Sequence, residues 1–416
     1  MVKRKPYNIK TIEPWPWSIN LQKQFLYLDT GAWQGDEKGN FKSSFTLLSG
    51  EGVAVCNYYK VPKSWPSNIR CGDENKTSIW NNELVDILND QVGSDCKHIW
   101  DFLLKMDSKT SPLNYIQYFY YSTSLDETID FWDKDKLLVV IGDLHLHLFR
   151  QYDEKQESLV DNFIRKSGNK RLSLEKDFCK FLSAVHEYQK DNSDVTVKVV
   201  QAGDIIDIWE VEHMFSQIIE RNQETKDPVY DDFLSFYVSE GVLQSKSNPK
   251  VNPKVLMDLI QKRVFPKIFD CINGLKNDFA IDVVILQGNH DDALKYSFEF
   301  NEGPEQLVHI EHGHRFDSAN EPGGDWLGRF LTKKNVDFEQ LGHGDWFKSL
   351  EKPAQSLKKW LIYIFTFGIH LPLDQRETYI KASRDVNSYF VNNKGKKLST
   401  FIMAHTHIPH GQKISR

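Results

Sequence analysis

Several features that would quickly indicate a class of function are scarce in this 416-residue chain. Only five cysteines occur, at wide spacing, so there is neither a disulfide framework nor a C-x-x-C zinc pattern. No apolar stretch of signal-peptide type follows the basic residues Lys3, Arg4 and Lys5. These scarcities indicate a reducing compartment, and we expect a cytoplasmic location.

Long apolar runs and an excess of positive charge are also lacking. The most apolar stretch, residues 360–373, is shorter than the ~20 residues that span a bilayer. We interpret it as a buried helix; a surface that contacts lipid or an apolar substrate is the alternative. The net charge of −6 argues against long nucleic acid as a partner. A small-molecule or phosphorylated substrate stays open because metal ions can supply a local positive field. The sequence does not indicate an oligomeric state.

The apolar and charged fractions, 40% and 26%, are those of a globular protein, and the length suits two domains. A charged run at 133–136 marks the expected boundary. Residues 1–133 are interpreted as a separate N-terminal α+β region of unknown role, with strand-like pieces at 44–48 and 52–59. A lid, or an extension packed on the second domain, is the alternative. Residues 134–416 alternate between strand and helix patterns, which predicts an α/β domain. Two mostly helical insertions are expected beside its active site, at about 209–276 and 315–398.

Apolar runs predict buried strands at 137–141, 195–200, 281–286, 307–310 and 401–403, and a polar cluster follows each of them. Asp143 and His145 come first, two residues apart, so both side chains can reach one ion. His147 continues the alternation and is interpreted as a supporting or surface group. Asp204 follows the next strand, and its carboxylate can bridge two cations. Asp207 lies three residues later and is better placed to orient a neighbouring ligand than to bind a metal ion itself.

The remaining clusters complete a set of oxygen and nitrogen donors. Asn289 supplies a neutral oxygen ligand, which suits a site that already carries carboxylates. His290 is then free to face a substrate and protonate a leaving group, and Asp291 is expected to hold its imidazole. Two histidine pairs follow the last strands: His312 with His314, and His405 with His407.

This ordered set resembles the motifs of the calcineurin-like metallophosphoesterases, from about residue 137 to 407. The resemblance implies a metallophosphoesterase-type β-sandwich flanked by helices. It also implies two metal ions, as manganese, iron with zinc, or two zinc ions. The first metal would be held by Asp143, His145, Asp204 and His407. The second would be held by Asp204, Asn289, His312 and His405. His290 would be the catalytic histidine.

Residues 311–317 most resemble the bacterial branch that includes the UDP-diacylglucosamine pyrophosphohydrolases, which favours His312 as the ligand, with His314 as the alternative. This chain departs from the family pattern in three places. Ala404 replaces a glycine, and His290 stands where that branch often has arginine. The chain also ends nine residues after His407, where the family normally continues through another strand or two. Either the chain is truncated or its N-terminal region completes the sheet.

The resemblance implies a two-metal-dependent phosphoesterase. A hydroxide bridging the two metals would attack phosphorus, and His290 would assist. The bond could belong to a phosphomonoester, a phosphodiester or a pyrophosphate. The alternative is a catalytically weak metal-binding scaffold or effector domain, in which residues 1–133 recognise a partner.

Overall fold

The computed structural model describes residues 24–30, 33–35, 41–50, 52–60, 98–99, 101–102, 105, 114–122, 135–146, 148, 172–279, 281–294, 296–297, 299–302, 308–316, 400–405 and 410–415. The apolar segment 360–373 and almost all of the insertion 315–398 lie outside these ranges, as do His147 and His407.

The described chain is a mixed α/β structure. Its strands are β1 (Gln24–Asp29), β2 (Trp33–Gly35), β3 (Phe41–Ser49), β4 (Gly52–Lys60), β5 (Asn114–Ser122), β6 (Lys136–Ile141), β7 (Thr196–Gln201), β8 (Leu243–Ser245), β9 (Asn248–Val251), β10 (Asp282–Ile285), β11 (Glu299–Glu302), β12 (Val308–Glu311), β13 (Thr400–Met403) and β14 (His410–Ser415). Its α-helices are α1 (Leu172–Asp191), α2 (Ile208–Thr225), α3 (Pro228–Ser239), α4 (Pro253–Leu259) and α5 (Pro266–Phe279).

The larger sheet has the strand order β10–β7–β6–β3–β4–β5, with β2 paired to β3. Strands β6, β7 and β10 are mutually parallel, as the predicted strand–helix–strand units require. Their last residues, Ile141, Gln201 and Ile285, lie side by side in the register. The loops that follow these strands therefore leave the sheet at one edge.

The smaller sheet has the order β11–β12–β13–β1–β14. Strand β12 is parallel to β13, and β13 is parallel to β1. Glu311, Met403 and Asp29 lie in register, so this sheet also ends three parallel strands at one level.

The strands before residue 133 are not a separate region, which corrects our expectation. Strand β1 pairs with both β13 and β14, and β3 pairs along its length with β6. The charged run at 133–136 therefore lies directly before a sheet strand and does not separate two folded units. A change in composition can mark a loop within one domain as well as a boundary between two domains. Composition also carries no information on which distant strands pair with each other. The functional division at this residue stays a prediction.

Apolar side chains cover both faces of strands β3, β4, β6 and β7 in the larger sheet. Alternate residues on one face pack against residues of the smaller sheet in a single cluster that includes Leu138, Val140, Val200, Ile310 and Ile402. The opposite face packs against helices α1 and α5. This two-sided burial explains why β6 reads as a continuous apolar run from Leu137 to Ile141.

The insertion predicted at about 209–276 is mostly helical, as expected, and contains α2 to α5. It also contains the β8–β9 hairpin, which the helical pattern did not predict. Helix α2 begins at Ile208, directly after Asp207, whose side chain accepts a hydrogen bond from the backbone N–H of Glu210 and caps the helix. Among the described residues, no helix has the length and apolar character needed to cross a membrane.

Candidate metal centre

The predicted ligands that the structure describes meet where the two sheets end. Asp143, Asp204 and Asn289 follow the three parallel strands of the larger sheet, and His312 and His405 follow β12 and β13 of the smaller one. All but His405 are buried. The carboxyl ends of parallel strands collect loops from distant parts of the chain, and here two sheets contribute loops to one place.

Asp204 is the centre of this cluster. Its Oδ2 lies 3.1 Å from Nε2 of His312 and 3.8 Å from Nε2 of His145. It belongs to two groups that could each hold a cation, one with Asp143 and His145 and the other with His312 and His405. Within each group the donor atoms lie within 4.8 Å of one another. A carboxylate shared in this way is what two adjacent cations need.

The backbone is strained at three of these positions. The φ values of His145, Asp204 and His405 are 45°, 48° and 70°. They lie in the left-handed region of backbone conformation, which residues other than glycine seldom adopt. The cost is of order 1 kcal/mol or more for each residue. Packing holds this strain where the donors converge, which indicates a functional arrangement rather than a preferred local conformation.

Two of the histidines are fixed through one ring nitrogen. Nδ1 of His145 lies 3.1 Å from Oδ2 of Asp207, and Nδ1 of His312 lies 3.0 Å from the carbonyl oxygen of Ala202. Because each partner accepts, the Nδ1–H donates and Nε2 is directed into the cluster. Histidines that bind metals in proteins are usually held in this way.

The surroundings of His312 test whether a cation suits the site. Its Nε2 faces the Oδ1 of Asn289 at 2.9 Å, the Oδ2 of Asp204 at 3.1 Å and Nδ1 of His405 at 3.2 Å. A carboxylate, an amide oxygen and two imidazoles around one point form a donor set that suits a divalent transition metal. The residues present therefore fit the ions that the motifs imply.

Electrostatics favour positive charge here. Burial alone would raise the pKa of Asp204, but the positive charge of His312 and then His290 holds it well below its usual range. Burial would likewise lower the pKa of His312, yet Asp204 and Asp143 raise it well above its usual range. A bound cation would supply the positive charge that these carboxylates favour, and His312 would bind it in its deprotonated form.

His290 stands beside the donors with its ring held by Asp207. Its Nδ1 lies 2.8 Å from Oδ1 of Asp207, and its backbone N–H donates to Oδ1 of Asp204 at 2.8 Å. Burial would lower the pKa of His290, but the negative charges of Asp207 and Asp204 raise it to about 9. The ring is thus held as a proton donor beside the cluster.

The role expected for Asp291 is wrong. Its carboxylate accepts from the backbone N–H groups of Gly288, at 2.7 Å, and Ile205, at 2.9 Å, and so ties two ligand loops together. Asp207 orients His290 instead. The adjacent position in sequence suggested the pairing, but the backbone N–H groups of the two loops occupy the carboxylate of Asp291. Burial, and then the charge of Asp204, raise the pKa of Asp291 to about 7.

Of the two histidines around Gly313, the structure brings His312 into the cluster. His314 starts a short 3₁₀ helix, and its ring centre lies 5.4 Å from that of His312. Burial, followed by the positive charges of His312 and His405, lowers the pKa of His314 to about 3. His314 is thus a neutral neighbour of the donor groups. His147 and His407 lie outside the described residues.

Gln201 is a site residue that sequence reasoning missed. Its Nε2 donates to the carbonyl oxygens of Gly142 and Gly203, the residues directly before Asp143 and Asp204. One buried amide therefore joins the two loops that present the carboxylates. A buried polar residue directly after the β-branched pair Val199 and Val200 was the available signal.

The N-terminal segment also supports the site, although no chemistry had been assigned to it. The backbone N–H of Trp33 donates to the carbonyl oxygen of Asp143 at 2.7 Å. The N–H of Thr30 donates to Met403 at 2.7 Å, and its hydroxyl donates to Val140 at 3.0 Å, which connects the two sheets. Local sequence carries no sign of these contacts.

Comparison with known proteins gives no family for this chain. No protein-family model, curated protein or solved structure matches it.

Proposed function

We propose that this protein is a two-metal-dependent hydrolase of phosphate esters, of the calcineurin-like metallophosphoesterase type. The observation that carries the proposal is the sharing of Asp204 between two groups of potential ligands. The order of the motifs and the packing of two sheets in one apolar cluster between them support it, because the resemblance implies a β-sandwich with ligands at its strand ends.

The first cation would be held by Asp143, His145 and Asp204, with His407 as a further ligand, and the second by Asp204, Asn289, His312 and His405. When bound, such ions neutralise charge on the phosphate oxygens and promote ionisation of water near neutral pH. Manganese, iron with zinc, and two zinc ions all suit these nitrogen and oxygen donors.

His290 would act as the general acid. Asp207 accepts from Nδ1, so the proton on Nε2 can pass to the oxygen of the leaving alcohol as the P–O bond breaks. The pKa of about 9 keeps the imidazole protonated at neutral pH, and neighbouring cations would lower that pKa toward the range where proton transfer is most effective. The ring therefore enters the reaction with its proton in place.

Hydrolysis of p-nitrophenyl phosphate and bis-p-nitrophenyl phosphate tests the proposal. The protein is treated with chelator, manganese is restored, and bound metal is counted by elemental analysis. Asp204→Asn should lose both metals and all turnover. His290→Ala should keep the metals and lose about 10²–10⁴-fold in kcat. Asp258→Asn is the matched control, because Asp258 is exposed and pairs only with the surface residue Lys262 among the described residues.

Wild-type activity that survives Asp258→Asn and disappears in Asp204→Asn would support the proposal, and the preferred substrate would distinguish a monoesterase from a diesterase. A wild-type protein that binds no metal would contradict it and favour the scaffold alternative. Full activity of His290→Ala on a substrate with a poor leaving group would contradict the general-acid role alone.

A further inference from the structure

The start of helix α2 contacts His290 through three consecutive residues. The carboxylate of Asp207 holds Nδ1 at 2.8 Å, and the backbone N–H of Ile208 donates to the carbonyl oxygen of His290 at 3.2 Å. The indole of Trp209 lies on the imidazole, with ring centres 4.5 Å apart and an angle of 30° between the planes. The backbone, one ring nitrogen and one ring face are thus all held by one turn of the chain.

The imidazole is also confined on a second side. The ring of His145 meets it edge-on, with centres 4.7 Å apart and planes at 88°. The His290 side chain keeps 16% of its surface exposed, whereas Trp209 is 4% exposed. The exposed part of His290 is therefore small, and the indole that covers it is itself fixed in the core.

A hydrogen bond to Nδ1 alone would not fix the plane of the ring. Rotation about the bond that joins an imidazole to its Cβ has a broad energy profile, so the ring could rock around the Asp207 contact. Contact with the buried indole restricts that motion, because a large rotation of the ring would break the stacked arrangement and bring the imidazole into the indole. The plane of the ring decides where Nε2 points.

We propose that Trp209 is a positioning residue that sets the imidazole plane of His290, so that its Nε2 proton lies in line with the leaving oxygen of the substrate. The inference rests on the proposed function for its catalytic consequence, while the packing contact can be tested without it. The helix start then serves both requirements of a general acid: Asp207 sets the tautomer and Trp209 sets the orientation.

The first test is spectroscopic and uses metal-free protein with labelled histidine. His290 resonances are assigned by their loss in His290→Gln. The indole ring current should shift the carbon-bound protons of the imidazole upfield. The shift should disappear in Trp209→Leu and persist in part in Trp209→Phe. Phe215→Leu is the matched control, because Phe215 is a buried aromatic residue of the same helix that packs against Phe233 and Tyr237.

The second test is kinetic, with manganese restored. Trp209→Leu should lower kcat about 10- to 100-fold with KM little changed, since misplacing a reacting group costs rate rather than binding. The loss should be larger for phenyl phosphate than for p-nitrophenyl phosphate, because the poorer leaving group needs the proton more. Trp209→Phe should stay within about threefold of wild type, since it keeps an aromatic face.

Unchanged His290 resonances in Trp209→Leu would overturn the packing contact. Equal losses of kcat in Trp209→Leu and Phe215→Leu would overturn the positioning role, as would a loss in Trp209→Leu that does not depend on the leaving group. Trp209 would then contribute only to packing of the core. An inactive wild type would overturn the proposed function and the catalytic part of this inference together, and the resonances would still decide the contact.

Discussion

Substitution of Gly288 by alanine should disturb the site strongly, although it adds only one methyl group. Gly288 directly precedes Asn289, and a Cβ at this position would lie 2.0 Å from Oδ1 of Asp204 and 2.4 Å from its backbone nitrogen. Non-bonded atoms do not approach so closely, so one of the two loops must move by more than about 1 Å. The overlap is with backbone as well as side chain, and rotation of Asp204 alone does not relieve it.

Two costs contribute to the expected loss of stability. Forcing an extra methyl into a packed interior costs about 1–3 kcal/mol. Moving Asp204 also weakens the hydrogen bond that it accepts from the backbone of His290, which is worth about 1.5–3 kcal/mol because the acceptor is charged. We therefore expect the free energy of unfolding to fall by about 2–5 kcal/mol. Manganese affinity should fall by at least about 100-fold, since the displaced group is the shared carboxylate.

Urea denaturation of the metal-free protein and calorimetric titration with manganese measure the two effects. Gly274→Ala is the control, because a Cβ there meets only Oδ2 of Asp278, at 3.6 Å, among the described residues. Gly274 lies within α5, so alanine should stabilise the protein by about 0.5–1 kcal/mol. Wild-type stability and affinity in Gly288→Ala would refute the packing of the Gly288 and Asp204 loops described above.

Three further predictions concern groups around the donors. Gln201→Met should keep the fold and weaken manganese binding about 10- to 100-fold, because the amide that joins the two carboxylate loops is lost. Titration calorimetry measures the affinity, and an unchanged value would contradict the joining role. Arg315→Met should lower the free energy of unfolding by about 2–4 kcal/mol. Arg315 makes contacts of 2.8 and 3.2 Å with the carboxylate of Glu311, which is 1% exposed. An unchanged urea midpoint would show that this ion pair does not contribute to stability. The pKa of His290 is raised from 6.5 to about 9, so its stabilisation of the metal-free protein, about 3 kcal/mol, is fully present below pH 6.5 and is lost as the pH rises through 9. His290→Gln should remove that part of the pH dependence, and identical stability curves for the two proteins would show that the raised pKa is not present.

Local sequence was sufficient to predict where most of the supporting strands lie. The strands around 137–141, 195–200, 281–286, 307–310 and 401–403 are all found, with ends shifted by a residue or two. Burial on both faces favours apolar and β-branched residues, and the polar clusters after these segments mark the places where the chain leaves the sheet. The convergence of Asp143, Asp204 and Asn289 follows, because parallel strands end at a common edge.

Local sequence was not sufficient to choose partners. The neighbour of His290 in sequence, Asp291, was expected to hold its ring, but Asp207, 83 residues away, does so. The choice depends on how the chain after β7 lies against the loop after β10, where the backbone N–H of Ile208 donates to the carbonyl oxygen of His290.

The N-terminal strands show the same limit on a larger scale. The composition of the first 133 residues suggested a separate region, yet β1 lies between β13 and β14, and β3 extends the sheet from β6. The sequence alone therefore determined the strands and the chemical types that follow them, because burial and alternation are local properties. The tertiary structure alone decided which loops meet and which histidine of a pair enters the cluster, and it alone showed the contacts of Gln201 and Trp209 with residues of these loops. Those outcomes depend on contacts between segments far apart in the chain.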